Sequence, residues 1–372
     1  MNIIYLKPCI DLKRLIISFF CRVNYIENEL RFFTSGGEAL IYGLKEKSIK
    51  EGSTILLPAY ICNSVVKALK VNNYKIIFFD IKKDLTVDTK ILKKYIKKFN
   101  IQSLLVVHYF GFVTNINEIK EICNKYKIFL IEDCCHNFLT QNNNFSIGKM
   151  GDISIFSYRK TIPVLFGGAL QNNNHRSSYK YKVSNINLHE IIFILKRFLM
   201  KLIKYFGSPN LVSINSKFKL IKLRRFFVRQ LAIDPKKKIE PNNPSFLLGL
   251  YLQDPEYQSK AIMNIKDNHK IINEGLNHKY YKVISNKHNQ NEVLQFFIIN
   301  NQDDNLIRYL RKYKIEVMRW PGNDLPCEVI TYKDSFPNAV SLNKKIMLLP
   351  VHQGLSRKDC NQIVKILNNY YK

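Results

Sequence analysis

Short apolar runs alternate with helical patterns between about residues 34 and 170. The stretches between the runs repeat apolar residues at three- and four-residue spacing, which is typical of amphipathic helices. Apolar strands separated by such helices predict a mostly parallel α/β sheet. Ligands of these sheets bind beyond the carboxyl ends of the strands, so polar residues at those positions are the candidates for chemistry. The predicted strands lie at 53–60, 75–81, 103–111, 127–135 and 152–158.

The alternation stops in the segment 176–235, which contains a basic amphipathic helix at 189–207 and a candidate second helix at 217–231. Such helices pack on the protein body or on a partner subunit, or they bind an anionic membrane surface, so a peripheral membrane contact through 189–229 stays open. A proline-rich linker follows at 234–244. The pattern therefore predicts a large domain over 1–235, with 176–235 as a basic helical insertion, and a smaller α/β domain over 236–372.

The composition gives the chain a strong positive charge. The 372 residues include 58 Lys and Arg but only 29 Asp and Glu, which gives a formal charge of +29. This surplus attracts anionic partners such as phosphorylated metabolites, nucleic acid or anionic lipid, although the general abundance of Lys, Asn and Ile explains it equally well. The 46% hydrophobic content excludes a disordered chain. Basic and aromatic residues are not clustered strongly enough to expect nucleic-acid binding.

The cysteines and the N-terminus bear on metal binding and location. No CxxC pair and no Cys/His cluster with zinc-site spacing occurs among the eight cysteines, so we expect reduced thiols and no metal site. The apolar N-terminal run is interrupted by Lys7, Asp11 and Lys13, which argues against a signal peptide. No apolar stretch is long enough to span a membrane. We therefore expect a cytoplasmic protein.

Two features at strand ends suggest an anion site and a ring site. The stretch TSGGEAL, residues 34–40, opens a helix whose first amides can bind a phosphate, although Ser35 as a plain helix cap explains it too. Tyr60 follows a strand and can stack on a planar ring, although an aromatic residue there is more often part of the core.

Two further features suggest covalent chemistry. Asp133 ends a strand and can keep a pyridine nitrogen protonated, or it simply caps the next turn. Lys160 lies just beyond another strand, before paired glycines, where loss of its proton would allow it to form a Schiff base. The neighbouring Arg159 would promote that loss or bind a phosphate. Each feature is weak by itself, and only their order along the chain is specific.

In this order the motifs resemble the DegT/DnrJ/EryC1/StrS family of sugar aminotransferases, which depend on pyridoxal 5'-phosphate (PLP). The resemblance covers residues from about 34 to 170 and from about 336 to 358. It implies the type I fold of PLP-dependent transferases, with a large mostly parallel sheet domain and a smaller C-terminal α/β domain. The matching stretches are SGGEAL, LPAYICNSV, VVHYFG, IEDCCH, FSYRK…GGAL and MLLPVHQGLS.

The resemblance also implies roles for individual residues. Lys160 would carry PLP as a Schiff base and transfer the proton between cofactor and sugar. Asp133 would pair with the pyridine nitrogen. His136 would donate a hydrogen bond to the phenolic oxygen of the cofactor, at a position where the family usually has Gln.

The expected phosphate site and ring-stacking site depart from the family pattern. The backbone amides of Gly37 and Glu38, together with Ser157, would hold the phosphate. Because the Glu38 carboxylate repels a phosphate, this arrangement requires the carboxylate to turn away. The usual ring-stacking position holds Cys62, so Tyr60 would stack instead. The family's GYN segment, which brings an Asn from the neighbouring subunit to the phosphate, is not found.

The activity implied by the resemblance is transfer of an amino group from glutamate to a keto-sugar nucleotide, for surface polysaccharide or lipopolysaccharide biosynthesis. The family works as a homodimer. Family members that dehydrate their sugar have His at the Schiff-base position, so Lys160 favours transamination. Another PLP-dependent sugar reaction and a non-catalytic relative remain alternatives. Trp320 either lines the substrate site or packs as an ordinary core residue.

Overall fold

A computed structural model defines the architecture of this protein. It describes residues 3–8, 25–137, 147–175, 177–196, 238–284, 292–322 and 325–371. The strands are β1 (Tyr25–Asn28), β2 (Arg31–Phe33), β3 (Thr54–Pro58), β4 (Lys75–Phe79), β5 (Ser103–Val107), β6 (Phe129–Asp133), β7 (Ile153–Ser157), β8 (Gly168–Asn172), β9 (Tyr179–Lys182), β10 (Lys282–Val283), β11 (Phe296–Asn300), β12 (Met318–Arg319) and β13 (Ile346–Pro350).

The chain also forms ten bounded helices in its described part, and residues 188–196 are helical as well. The bounded helices are α1 (Gly36–Glu46), α2 (Asn63–Val71), α3 (Thr89–Lys98), α4 (Ile116–Tyr126), α5 (Phe246–Leu252), α6 (Pro255–Gly275), α7 (Asp304–Lys312), α8 (Cys327–Thr331), α9 (Pro337–Lys345) and α10 (Arg357–Asn369).

The large sheet has seven strands in the order β2-β8-β7-β6-β5-β3-β4. The pairs from β7 through β4 are parallel, whereas β8 is antiparallel to both of its neighbours. Every residue of β5 and β7 is buried, as expected for strands covered on both faces. The predicted mostly parallel α/β sheet and the type I transferase fold are confirmed.

Helix α1 is held unusually close to strand β8. A Cβ atom added to Gly168 would lie 2.1 Å from the carbonyl carbon and oxygen of Ser35, the residue that caps α1. Only a residue without a side chain allows this approach. The second of the paired glycines that follow Lys160, Gly168, therefore begins strand β8, and its smallness positions the start of α1.

The C-terminal part of the chain builds a second, four-stranded sheet in the order β10-β11-β13-β12. All of its strand pairs are antiparallel. The strands predicted at 292–300 and 345–351 correspond to β11 and β13. Helices α6 and α10 pack together and share the apolar cluster that includes Ile265, Ile363 and Leu367.

The insertion is described only in part. Its first half forms β9, which pairs with β1, and the helical residues 188–196. The candidate helix at 217–231 and the first part of the predicted linker lie outside the described residues. The division of the chain near residue 235 therefore stays a prediction. Among the described residues, no helix is long and apolar enough to cross a membrane.

Candidate active site

A cavity of about 270 Å³ lies at the carboxyl ends of the parallel strands. Asp133 and Ser157, the last residues of β6 and β7, line it together with Val107 at the end of β5. The starts of helices α1 and α2 form another wall. Its volume is close to the lower end, roughly 300 Å³, of small-molecule sites. The site is where the topology of a parallel sheet places a ligand.

Lys160 reaches this cavity from the short 3₁₀ turn that follows β7. Its Nζ lies 3.2 Å from Nε2 of His136. The other ring nitrogen of His136, Nδ1, accepts a hydrogen bond of 3.2 Å from the backbone amide of Phe110. Because Nδ1 accepts, we assign the proton of the neutral ring to Nε2.

The neutral state of His136 has a clear physical cause. Burial holds the pKa of His136 well below its ordinary value, and the positive charges of Lys160 and Lys7 lower that pKa further. A protonated ring would also have no lone pair to accept from Phe110. Neutral His136 therefore adds no positive charge beside Nζ of Lys160, the nitrogen that would attack a carbonyl carbon.

The backbone of the Lys160 turn is fixed by residues from the C-terminal part of the chain. Nε2 of Gln295 donates to the carbonyl oxygen of Lys160 at 2.7 Å. Nε2 of Gln353 donates to the carbonyl oxygen of Thr161 at 3.4 Å. Neither glutamine carries a sequence signal, since an isolated Gln near a strand has many ordinary roles.

Asp133 presents its carboxylate to the same cavity. It is 5% exposed, and Oδ1 accepts a hydrogen bond of 3.0 Å from the amide of Cys135. This contact fixes the orientation of the carboxylate at the end of β6. Asp133 and Lys160 thus come from adjacent parallel strands, as their positions in the sequence predicted.

The preceding residue, Glu132, points to the opposite face of the sheet and has a structural role. It accepts hydrogen bonds from the amides of Met150 and Gly148, and one of 2.8 Å from Nε2 of His108. Cys134 lies beside this pair, so the three side chains resemble a metal-binding group in spacing. The hydrogen bonds already made to both carboxylate oxygens account for the arrangement without a metal ion.

The start of α1 forms the wall opposite Lys160. Ser35, Gly36 and Gly37 line the cavity, and the first amides of a helix have no acceptors within the helix. Glu38 does not line it, because its carboxylate turns back to accept from the amide of Thr34 at 3.0 Å. Its own amide donates to Oγ of Ser35 at 3.3 Å. The Glu38 amide, which the resemblance assigned to the phosphate, thus donates to Ser35 in this structure, and Gly36 lines the cavity.

Tyr60 does not belong to the cavity. Its side chain is fully buried, its hydroxyl donates to the carbonyl oxygen of Trp320 at 2.9 Å, and its ring packs on Tyr109. Burial raises the pKa of Tyr60 well above its usual value. The expectation that Tyr60 stacks on a ligand ring is therefore wrong for this geometry. Cys62, two residues later, lines the cavity instead.

Trp320 is a wall of the cavity. Its ring lies 5.4 Å from the ring of His136 at an interplanar angle of 81°, and it is 8% exposed. It comes from the C-terminal sheet, at the end of β12. Trp320 both lines the cavity and packs in the apolar core, so each of the two interpretations left open by the sequence describes part of its position.

Sequence reasoning assigned no individual role to several lining residues, among them Gly36 and Cys135. Gly36 shares the SGG motif with Gly37, and Cys135 lies between two predicted site residues. Arg159 was considered as a neighbour of Lys160 that promotes loss of its proton or binds a phosphate. Proximity in sequence to Lys160 was the one available signal for it.

The comparisons with known proteins agree with this geometry. Residues 28–189 match the sequence model of the DegT/DnrJ/EryC1/StrS aminotransferase family. The chain is 24% identical to GDP-perosamine synthase of Vibrio cholerae over 384 aligned residues, which cover 99% of this chain and 95% of the relative. It is 31% identical to UDP-4-amino-4,6-dideoxy-N-acetyl-beta-L-altrosamine transaminase of Campylobacter jejuni over 153 residues, which cover 40% of each chain.

A solved structure shares the fold. The PLP form of the putative sugar aminotransferase Spr1654 from Streptococcus pneumoniae superposes with a TM-score of 0.70 at 13% identity, covering 99% of this chain and 98% of that one. Identity this low supports the fold alone. Residues 28–189 of this chain therefore carry the sequence pattern of the DegT/DnrJ/EryC1/StrS aminotransferase family.

Proposed function

We propose that this chain is a PLP-dependent aminotransferase that moves an amino group from an amino acid, glutamate, to a keto-sugar carried on a nucleotide. One observation carries the proposal: Lys160, beside neutral His136, shares a cavity with Asp133 and with the open start of α1. The names of the relatives support the substrate class, since both describe enzymes of nucleotide-linked amino sugars.

The lining residues fit PLP in charge and in shape. An amine, a carboxylate and a helix start match the carbonyl, the ring nitrogen and the phosphate of the cofactor. A Cβ atom on Gly36 would come within 3.1 Å of Sγ of Cys135, so the glycine keeps the approach to the first amides open. Nε of Arg159 is buried at this site without a hydrogen-bond partner among the described residues.

Each residue would then perform one task. Lys160 holds the cofactor and carries the transferable proton on Nζ, while His136 keeps that nitrogen in place at 3.2 Å. Asp133, fixed by the amide of Cys135, stabilises a protonated ring nitrogen. Trp320 covers the cavity and excludes water from the proton transfer. PLP, when bound, supplies the carbonyl that accepts the amino group and the ring that withdraws electrons.

Features of the site argue against the two alternatives, a dehydration and a non-catalytic relative. A dehydration would need a different residue in place of the amine, and the amine of Lys160 is present and close to His136. A non-catalytic relative would not need a lysine, a carboxylate and a neutral histidine together in one cavity. The Glu38 carboxylate, which seemed incompatible with a phosphate, is directed toward Thr34. We therefore retain transamination as the proposed reaction.

The first experiment follows the bound cofactor during reaction with the amino donor. Full-length protein is loaded with PLP, and its absorption spectrum is recorded before and after addition of glutamate. We expect conversion of the aldehyde form to the amine form. Transfer of nitrogen-15 from labelled glutamate to a nucleotide-linked keto-sugar, detected by mass spectrometry, would complete the reaction.

Matched variants and two negative outcomes make this test decisive. Lys160→Arg preserves charge but cannot attach the cofactor, whereas Lys125→Arg alters an exposed position on α4 and should react normally. A protein that stays colourless with PLP would overturn the enzyme proposal. A coloured protein whose spectrum never changes with glutamate would overturn transamination by this donor.

Two proposals concern partners. We expect a homodimer, which sedimentation of the full chain would test. The peripheral membrane contact is supported by one face of the helical residues 188–196, on which Leu188, Ile191 and Leu195 are 67%, 40% and 59% exposed. Flotation with anionic liposomes at low salt tests it, with Leu195→Gln as the matched variant. Failure of the parent protein to float would remove the membrane contact.

A further inference from the structure

Arg159 is a partly buried cation whose Nε is enclosed and has no hydrogen-bond partner among the described residues. It lines the cavity, and no hydrogen bond or ion pair joins it to another residue in the described part of the chain. Burial lowers the pKa of Arg159 below its usual value, yet a guanidinium stays charged in proteins. Burying a charge without a partner is costly. The site is therefore arranged for an anion that comes from outside the chain.

The surroundings of Arg159 indicate which end of the cavity this anion occupies. Arg159 lines the same cavity as Cys135 and Cys62. Sγ of Cys135 lies against Gly36, the first residue of α1. Cys62 is the N-cap of α2 and makes no side-chain capping hydrogen bond. Arg159 therefore lies near the starts of two helices.

These two helix starts reinforce the charge of Arg159. Each presents amide groups without acceptors in its own helix, at the positive end of the helix dipole. Gly36 and Gly37 of α1, and Ser64 of α2, line the cavity. Ser157 adds a hydroxyl at the end of β7. An anion with several oxygens arranged around one centre can use all of these donors together.

We propose that Arg159 binds the phosphate of the cofactor from within the same chain, between the starts of α1 and α2. The inference rests on the proposed function. The alternative anion in the same reaction is the carboxylate of the amino donor. A phosphate has more oxygen acceptors than a carboxylate and so fits the two helix starts, Ser157 and the forked guanidinium better. The amine of Lys160 and the carboxylate of Asp133 remain available to the ring.

The test compares PLP with pyridoxal, which has the same ring and aldehyde but no phosphate. Dissociation constants of both are measured by absorbance for the parent chain, Arg159→Gln, Arg159→Lys and the exposed control Arg308→Gln. Attachment to Lys160 contributes equally to both ligands and cancels in their ratio. We expect Arg159→Gln to weaken PLP binding about thirtyfold, the effect of one charge-assisted hydrogen-bonded contact, and pyridoxal binding less than about threefold.

The other variants and inorganic phosphate keep the test independent of folding. Arg159→Lys should lose less affinity than Arg159→Gln, because it keeps the charge without the fork. Inorganic phosphate should compete with PLP on the parent protein, and more weakly on Arg159→Lys. Equal losses for PLP and pyridoxal, or none for either, would overturn the role of Arg159. An unchanged PLP affinity with a raised KM for glutamate would assign Arg159 to the donor carboxylate.

Failure of this inference is distinguishable from failure of the proposed function. If the parent chain binds neither PLP nor pyridoxal, the enzyme proposal itself is wrong. If the parent chain binds PLP and reacts with glutamate while Arg159→Gln binds PLP normally, the enzyme proposal stands and only the phosphate assignment falls.

Discussion

The buried carboxylate of Glu132 should contribute more to stability than any exposed acidic residue. It is fully buried, and its two oxygens accept from the amides of Gly148, Met150 and Gly151 and from Nε2 of His108. Glu132→Ala leaves these four donors without that acceptor. At about 1–3 kcal/mol for each unpaired buried group, the loss would be at least about 4 kcal/mol. Water entering the vacated space keeps the value near that lower limit.

The assay is urea unfolding of the full chain, followed by circular dichroism without added cofactor. Cofactor is omitted because a ligand that binds the native state adds its own stabilisation. Glu132→Gln should lose less free energy of unfolding than Glu132→Ala. Its amide oxygen can still accept two of the hydrogen bonds, whereas its amide nitrogen cannot replace the second carboxylate oxygen. The matched control is Glu121→Ala, which changes an exposed position on α4. If Glu132→Ala and Glu121→Ala lose equally little, below about 1 kcal/mol, the network does not stabilise the fold.

The same carboxylate predicts a loss of stability in acid. Burial raises the pKa of Glu132, but the hydrogen bond and charge of His108 and the backbone amides outweigh it, so the pKa lies below its ordinary value. A carboxylate with a lowered pKa stabilises the fold above the unfolded-state value of about 4.3. That contribution disappears as the pH falls through the folded-state pKa. Glu132→Gln should lack this component.

Three further changes test other parts of the structure. Gly168→Ala would place a Cβ atom 2.1 Å from the backbone of Ser35, so we expect a lower melting temperature and about tenfold weaker PLP binding as the start of α1 shifts; unchanged binding would contradict the close approach. Tyr60→Phe removes one hydrogen bond to the carbonyl oxygen of Trp320 and should cost about 1 kcal/mol in urea unfolding, with the spectrum of bound PLP unaltered. A changed spectrum would return Tyr60 to the cavity. Burial lowers the pKa of His269 to about 4. Neutral His269 therefore contributes fully to the free energy of unfolding above pH 6.5, and this contribution of about 3 kcal/mol is lost as the pH falls to 4. In His269→Leu the free energy of unfolding should fall less over this pH range.

The strands of the large sheet could be predicted from the sequence because their signal is local. The predicted strands at 75–81 and 127–135 contain the observed Lys75–Phe79 and Phe129–Asp133, with two extra residues at the C-terminal end of the first and at both ends of the second. Buried parallel strands read as continuous apolar runs, and the polar residue that ends each run marks the ligand side. This is why Asp133 could be predicted to lie in the site.

Other features depend on contacts between distant segments and have no local signal. The direction of Tyr60 is set by its hydrogen bond to Trp320, a residue far away in the chain. The strand at Gly168–Asn172 forms because it pairs with two other strands, whereas its paired glycines alone indicate a loop. The position of Arg159 in the proposed phosphate site depends on the starts of α1 and α2, which meet only in the folded protein.

The role of Lys160 is tested most directly by fixing the cofactor to the chain. Full-length protein is incubated with PLP, reduced with borohydride, digested and sequenced by mass spectrometry. A single pyridoxyl phosphate group on the peptide that contains Lys160, and its absence from Lys160→Arg, is the expected result. Modification of a different lysine, or an unmodified peptide from protein that is otherwise folded, would contradict the assignment of this site.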